Sequence, residues 1–524
     1  MPKVLIADEL SPRALSIFRS RGIEVDVHIG LKKADLLGII GRYDGLAVRS
    51  ATKADKELIA AAKNLKVIGR AGIGVDNIDI PAATARGIVV MNTPFGNSIT
   101  TAEHAIALMF AAARQIAAAD VSTQAGKWEK NRFMGVELYA KTLGLIGCGN
   151  IGALVAERAL ALKMKVIAYD PFLSPERAVK LGVEKVELED LLTRADLISL
   201  HTPVTEKTKN ILSAEALAKT KKGVIIVNAA RGGLVDEAAL RAALDLGHIA
   251  AAGFDVFTTE PAKESVLFGA ANFVATPHLG ASTNEAQENV ALQVAEQISD
   301  YLLTGAVTNA LNMPSISAEE ASRLKPYMDL IDKLGVVAGQ IADDGLEAVE
   351  IEYEGGVAQL NTQPLTAIAL AALMRPLMPD VNMVSAPAVL KQKGTSLTES
   401  KRETSPIYGS LIRIKVLTGG RWRTLAGVVN AGTAKIVEVK GMALEAEFHP
   451  VMLLINNLDK PGFIGALGTM LGEANINIAT FHLGRHAAEQ DAIAIVGVDQ
   501  LVPEAIQQKL RALPHVRYVK MLKF

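Results

Sequence analysis

The sequence predicts an α/β chain with two doubly wound parallel sheets, an α+β region behind them and a terminal βαββαβ unit. Three observations carry that reading. Short apolar runs alternate with helical patterns twice, over residues 3–93 and again over 142–278. A G-x-G-x-x-G motif, Gly147-Cys148-Gly149-Asn150-Ile151-Gly152, lies between a strand pattern and a helix pattern at the head of the second set. The last segment, 452–524, reads strand, helix, strand, strand, helix, strand.

In the first set Lys3–Ala7, Glu24–Val27, Gly45–Val48, Lys66–Gly69 and Ile88–Met91 read as strands, with helices such as Ala54–Ala62 between them. An Ala-rich pattern from Ile99 to Gln124 predicts one long helix bridging two domains. In the second set the strand patterns are Thr142–Ile146, Lys165–Tyr169, Leu197–Leu200, Val224–Asn228, Ala251–Asp255 and Phe273–Ala275, the count expected of a Rossmann-type nucleotide-binding sheet. The helical pattern Asn284–Thr304 is expected to return to the first domain and make it discontinuous. The expected division is 1–98 with 285–314, then 99–284, 315–450 and 451–524. Residues 315–450 carry helices followed by β-rich patterns such as Ser410–Leu417 and Ala434–Val439. Arg402, Arg413, Arg421 and Arg423 there read either as solvated side chains or as a small-anion site. The terminal unit is Met452–Leu458, Gly462–Ala474, Ile478–Gly484, Ala492–Val498, Pro503–Leu513 and Val516–Leu522, the ferredoxin-like order.

Composition narrows the function. At 524 residues the chain exceeds one hydrophobic core. A net charge of −1 offers no electrostatic case for nucleic acid or an anionic membrane. The single cysteine, Cys148, excludes an intramolecular disulfide and a Cys-rich metal site, and fits a reducing cytoplasm; no metal is expected. The first residues turn acidic without an apolar core, so no signal peptide is expected, and no apolar run reaches the ~20 residues of a membrane span.

The glycine motif points to a dinucleotide. Gly147 and Gly149 let backbone approach a pyrophosphate at the positive end of a helix. Asp170 ends the next strand about twenty residues on. Its carboxylate can bond ribose hydroxyls and would repel a 2′-phosphate, which favours NAD over NADP. Three polar residues then follow predicted strand ends: Arg231 in Asn-Ala-Ala-Arg-Gly-Gly, Glu260 before Pro261, and His278 in Thr-Pro-His-Leu-Gly-Ala. Ligands of open α/β sheets sit at such ends. An Arg can hold a carboxylate bidentately and polarise the reacting oxygen. A His can take a hydroxyl proton as hydride leaves, and a Glu beside it orients the ring and favours its charged form.

Those residues, with His201-Thr202-Pro203 and Asp255-Val256-Phe257, resemble the D-isomer-specific 2-hydroxyacid dehydrogenases. Arg70-Ala-Gly-Ile-Gly-Val-Asp-Asn-Ile-Asp79 and Asn92-Thr-Pro-Phe-Gly-Asn-Ser98 resemble the phosphoglycerate dehydrogenase branch, and the likeness runs over essentially the whole chain. It implies oxidation of 3-phospho-D-glycerate, the first step of L-serine synthesis, with Arg231, Glu260 and His278 as the catalytic trio. It implies that Gly147, Gly149, Asn150, Ile151, Gly152, Asp170, Thr202, Ala229, Arg231, Asp255, and His278 with Gly280 and Ala281 line NAD. Arg49, Arg70 and Asn97 would face the substrate; Ile73 stands where some members carry a Thr. Asp459-Lys-Pro-Gly462 and Asn475-Ile-Asn-Ile478 resemble the ACT module, which places a serine effector at Asn457, Asp459 and Asn477. Asn457 departs from the usual aromatic or imidazole residue. A purely assembling role for the unit is the alternative.

Two self-complementary surfaces, the terminal sheet and the Ile99–Gln124 helix, would build a homotetramer. Two rival functions stay open: a dehydrogenase of glyoxylate or another unphosphorylated acid, and a non-catalytic NAD-binding corepressor, whose tails tend to be disordered where this one is patterned.

Overall fold

The computed structural model describes residues 1–316, 318–342, 345–485 and 490–524. The first sheet is parallel, in the order Glu24–Val27, Lys3–Ile6, Gly45–Val48, Val67–Arg70, Val89–Asn92. Apart from the edge strand Glu24–Val27, its strands are apolar on both sides because both faces are covered. Val4, Ile6, Val67, Val89 and Met91 point into one core, and Leu5, Ile68, Ile88 and Val90 into the other. The helix Asn284–Thr304 lies on the first of these faces, contributing Val290, Ala291, Val294, Ala295 and Ile298. The approach is close: a Cβ on Gly69 would come within 2.6 Å of both Val294 and Ile298.

The helix expected to run unbroken from Ile99 to Gln124 is two helices. Ser98–Arg114 stops at Gln115, whose φ of +53° is left-handed, and Ile116–Gln124 leaves at 63°. Ser98–Arg114 packs on the second sheet through Ala102, Ala105, Leu108, Met109 and Ala112. A Cβ on Gly253 would sit 3.2 Å from Leu108. Beyond the bend Val121, Trp128 and Met134 are exposed. Among the described residues no single helix is long and apolar enough to cross a membrane.

The second sheet is parallel with seven strands, in the order Phe273–Ala275, Ile249–Phe254, Val224–Asn228, Leu197–Leu200, Thr142–Ile146, Lys165–Tyr169, Glu184–Lys185. Six were expected; the seventh, Glu184–Lys185, is two exposed charged residues on the edge. The strand order reverses at Thr142–Ile146, which places the glycine motif at the switch point of a doubly wound sheet.

Residues 318–447 form a six-stranded sheet backed by the helices Ala318–Ile341 and Gln363–Met374. One of its arginines is not simply solvated. Arg413 bonds Glu352 at 2.8 Å, Glu354 at 3.0 Å and Glu438 at 3.1 Å, with its side chain only 18% exposed. This region docks on the first domain, where Asn382 Nδ2 donates to Gly87 O at 2.8 Å and Val384 joins the core.

The terminal unit has the expected order, with strands Val451–Leu458, Ile478–Arg485, Asp491–Val498 and Val516–Lys523 in one antiparallel sheet. Alternate residues serve different cores. Leu453, Ile455, Ala494 and Val496 meet the unit's own helices, while Met452, Leu454, Ile493 and Ile495 join the core of the preceding region. The terminal unit therefore shares its hydrophobic interior with its neighbour.

Candidate active site

The glycine turn comes first. Gly147 has φ +96°, and a Cβ there would lie 2.5 Å from His201 O. A Cβ on Gly152 would lie 2.3 Å from Gly147 O, so the helix Asn150–Ala161 can start this close to the sheet only with glycine. Gly149 is different: the space its Cβ would fill is open, and the helix start at Gly149 has no side-chain cap. Uncapped amides beside open space at a helix N-terminus suit a pyrophosphate. Asp170 is fixed next to them, accepting from Cys148 N at 2.8 Å and Phe172 N at 2.8 Å. Cys148 is buried, and that burial, with Asp170 nearby, pushes its thiol up and leaves it unreactive. The residues present therefore fit a dinucleotide with free ribose hydroxyls.

Across the strand ends the structure joins His278 to Glu260, Nδ1 to Oε2, at 2.7 Å. The other Glu260 oxygen accepts from Phe257 N at 3.0 Å, which fixes the carboxylate. With Nδ1–H directed at Glu260, the neutral ring presents Nε2 as a base. His278 itself is left-handed, φ +57°, in a turn held from behind by Asp255. Asp255 is fully buried, and its oxygens accept from Thr276 Oγ1 (2.6 Å), Leu279 N (2.7 Å) and Gly280 N (2.8 Å). Burial disfavours its charge, but the bonds from His104, Thr276 and Leu279 outweigh burial and hold the carboxyl below its usual range. Ala229 is buried beside this region and Thr202 follows the strand Leu197–Leu200.

Arg231 is set by Asn228, whose side chain donates to Arg231 O at 2.9 Å and accepts from Ala230 N at 3.1 Å. Its guanidinium reaches out of the second domain to Asp76 on the first, at 3.0 Å. Gly74 lets it pass, since a Cβ there would lie 1.5 Å from Nη2. Arg70 and Arg49 are electrostatic neighbours on the first domain, and Arg231 is a third. Asn77 ties them together: its Oδ1 accepts from Arg70 Nε at 3.2 Å, and its Nδ2 donates to Arg49 O at 2.7 Å. Burial, then repulsion from Arg231, brings Arg70 down to about 10. Asn97 holds a buried Oδ1 with no protein partner. Asp76 and Asn77 were not singled out from the sequence, although both lie inside the Arg70–Asp79 motif.

In the terminal unit no hydrogen bond links the three expected effector positions to one another among the described residues. Asn457 is buried, with Oδ1 unpartnered and Nδ2 on Leu458 O; Asp459 pairs with Arg485 at 2.6 Å; Asn477 bonds Asp499 at 2.6 Å.

Comparison with known proteins agrees with this layout. Residues 106–280 match the NAD binding domain of D-isomer specific 2-hydroxyacid dehydrogenases, 323–440 the D-3-phosphoglycerate dehydrogenase intervening domain, and 451–515 the ACT domain. A D-3-phosphoglycerate dehydrogenase of Archaeoglobus fulgidus is 43% identical over 99% of this chain and 100% of its own length. One of Methanocaldococcus jannaschii is 42% identical over 100% of both. A solved glyoxylate reductase from Paecilomyes thermophila is 31% identical, with a TM-score of 0.56 over 59% of this chain and 98% of that one. The chain belongs to the D-3-phosphoglycerate dehydrogenase family, a multidomain branch of the D-isomer specific 2-hydroxyacid dehydrogenases.

Proposed function

We propose that the chain oxidises 3-phospho-D-glycerate to 3-phosphohydroxypyruvate with NAD, the first step of L-serine biosynthesis, under feedback from serine. The observations that carry this reading are the 2.7 Å His278–Glu260 pair at the strand ends of the second sheet and the gathering of Arg231 with Arg70 and Arg49. NAD supplies the hydride acceptor. Nε2 of His278 takes the C2 hydroxyl proton as the C2 hydrogen leaves with its electron pair, and Glu260 stabilises the imidazolium so formed. Arg231 holds the C1 carboxylate and the reacting oxygen; to bind, the substrate displaces Asp76. Arg49 and Arg70, with Asn97, receive the phosphate, which an unphosphorylated acid would leave unmatched. Gly147, Gly149–Gly152, Asp170, Thr202, Ala229, Asp255 and His278–Ala281 would hold the cofactor.

The packing supports domains at 1–98 with 285–314, 99–284, 315–450 and 451–524. Serine held at Asn457, Asp459 and Asn477 would act through the shared core and the Asn382–Gly87 contact. The exposed apolar segment after the bend at Gln115 suits contact with a second copy, and with the terminal sheet would give a cytoplasmic homotetramer.

Initial rates of NADH formation test the reading. We expect 3-phosphoglycerate to be preferred over glycerate and lactate by at least about 10²-fold in kcat/KM, the loss of a single charge-assisted hydrogen bond being the lower bound when two arginines lose their phosphate. Preference for glyoxylate reduction or an unphosphorylated acid would overturn the substrate; absence of turnover with any 2-hydroxy acid would favour a binding protein. Serine should inhibit in a graded way, with coupling of ~1–3 kcal/mol.

A further inference from the structure

One donor to Asp255 comes from outside its own sheet. His104, on the helix Ser98–Arg114, places Nε2 3.1 Å from Asp255 Oδ1 and 3.0 Å from Thr276 Oγ1. The carboxylate only accepts, and the Thr276 hydrogen is already given to it, so Nε2 carries the proton and donates. One helical turn earlier, Thr101 Oγ1 donates to Gly280 O at 2.8 Å. The helix thus braces, at two points, the backbone that follows His278.

That backbone has few other reasons to hold its shape. His278 is a non-glycine residue in the left-handed region, with its own N–H on Asp255 O at 2.9 Å. The two amides after it end on the Asp255 carboxylate. Where Asp255 points, the turn follows, and with it the imidazole that meets Glu260. Asp255 is fully buried and takes these bonds from the part-buried His104 and Thr276, so a donor lost to it is poorly replaced by bulk water. An ordinary core role would not need an imidazole: Ala105, Leu108 and Met109 on the same helix fill space with apolar groups.

We propose that His104 is a positioning residue for proton transfer: through Asp255 it fixes the left-handed turn that sets His278 against Glu260. The inference rests on the dehydrogenase reading above, and its consequence is a split between turnover and affinity. Supporting groups of this kind change how often the reacting geometry is reached more than how tightly ligands bind.

Two substitutions isolate the donor. His104→Leu fills the space without an N–H; His104→Gln restores an N–H near the Nε2 position. In ligand-free protein, amide exchange over residues 276–283 should rise about tenfold in His104→Leu, with the helix 98–114 changed less than about twofold. In kinetics, kcat should fall about tenfold while KM for the hydroxy acid and for NAD stays within about twofold, and His104→Gln should recover both readouts to within about threefold. In a His278→Ala background the Leu substitution should cost less than about twofold, because the group it positions is gone. If His104→Leu does not fold, His104→Asn, whose shorter amide falls short of Asp255, replaces it with the same expectations. Unchanged exchange, weakened NAD binding at full kcat, or an undiminished loss in the His278→Ala background would each overturn the role. A native chain that turns over no 2-hydroxy acid would overturn the dehydrogenase reading and this role with it; an active native enzyme with unaltered exchange would overturn this role alone.

Discussion

In the cleft, Arg70 is largely enclosed and its nearest charged neighbours include Arg231 and Arg49, with Asp76 and Asp8 as the acidic members. In the six-stranded sheet, Arg413 is less enclosed and is bonded to Glu352, Glu354 and Glu438. Burial opposes the charge of both. In Arg413 the bonds from Glu352 and Glu438 overcome burial and raise the guanidinium above its usual range; in Arg70 nothing does, and it falls to about 10. A cation left short of counter-charge gains most from an incoming anion, whereas one already neutralised holds its strands together. The cleft should therefore be sensitive in kinetics and the sheet in stability.

His278→Ala should show the cleft's side of that contrast most strongly, lowering kcat by about 10²–10⁴-fold with NAD affinity and melting temperature nearly unchanged. Near-normal turnover would remove His278 from the proton step. Arg413→Met should do the reverse. It takes the shared guanidinium from three carboxylates, of which Glu352 keeps Lys415 at 2.6 Å, so denaturant melts should show a loss of about 3 kcal/mol while kcat/KM holds in the folded fraction. A kinetic defect at full stability would mean that the sheet arginine reads a ligand after all.

His201 extends the principle to the second domain. It bonds Ser199 at 2.8 Å but has no acidic partner among the described residues, and burial brings it to about 4. Between that value and about 6.5 the unfolded chain binds a proton that the folded chain refuses. Stability should hence fall as pH drops from 6.5 towards 4, by up to about 3 kcal/mol, and the loss should level off below. Melting curves of the native chain and His201→Gln should diverge over that window; parallel curves would refute the buried-base account. Arg70→Met should give the smallest change, raising KM for phosphoglycerate by about 10–100-fold, the loss of one charge-assisted bond, without lowering the melting temperature. An equal effect on an unphosphorylated acid would show that Arg70 does not read the phosphate.

Much of this was legible because the central parallel strands are buried on both faces and read as apolar runs, and because Gly147 and Gly152 are demanded by backbone geometry. The terminal strands were legible for the same reason: their second face is covered by the preceding region. The bend at Gln115 was not legible, since Ala-rich sequence continues on both sides and a left-handed glutamine leaves no trace in periodicity. Nor was Glu184–Lys185, too short and too polar to alternate. Within the site, His278 and Glu260 carried a signal through their types and strand-end positions. His104 and Asp76 did not, because their partners lie 151 and 155 residues away.

The helix Asn284–Thr304, which completes the first sheet, also orders events on the ribosome. Asn92 ends that sheet about 190 residues before the helix begins. At ~5–20 residues per second, the face formed by Val4, Ile6, Val67 and Val89 has only the helix Pro12–Ser20 to cover it for about 10–40 s, while the second domain emerges and can close first. The first domain in sequence thus finishes after the second, and its uncovered valines are where a chaperone would bind the nascent chain.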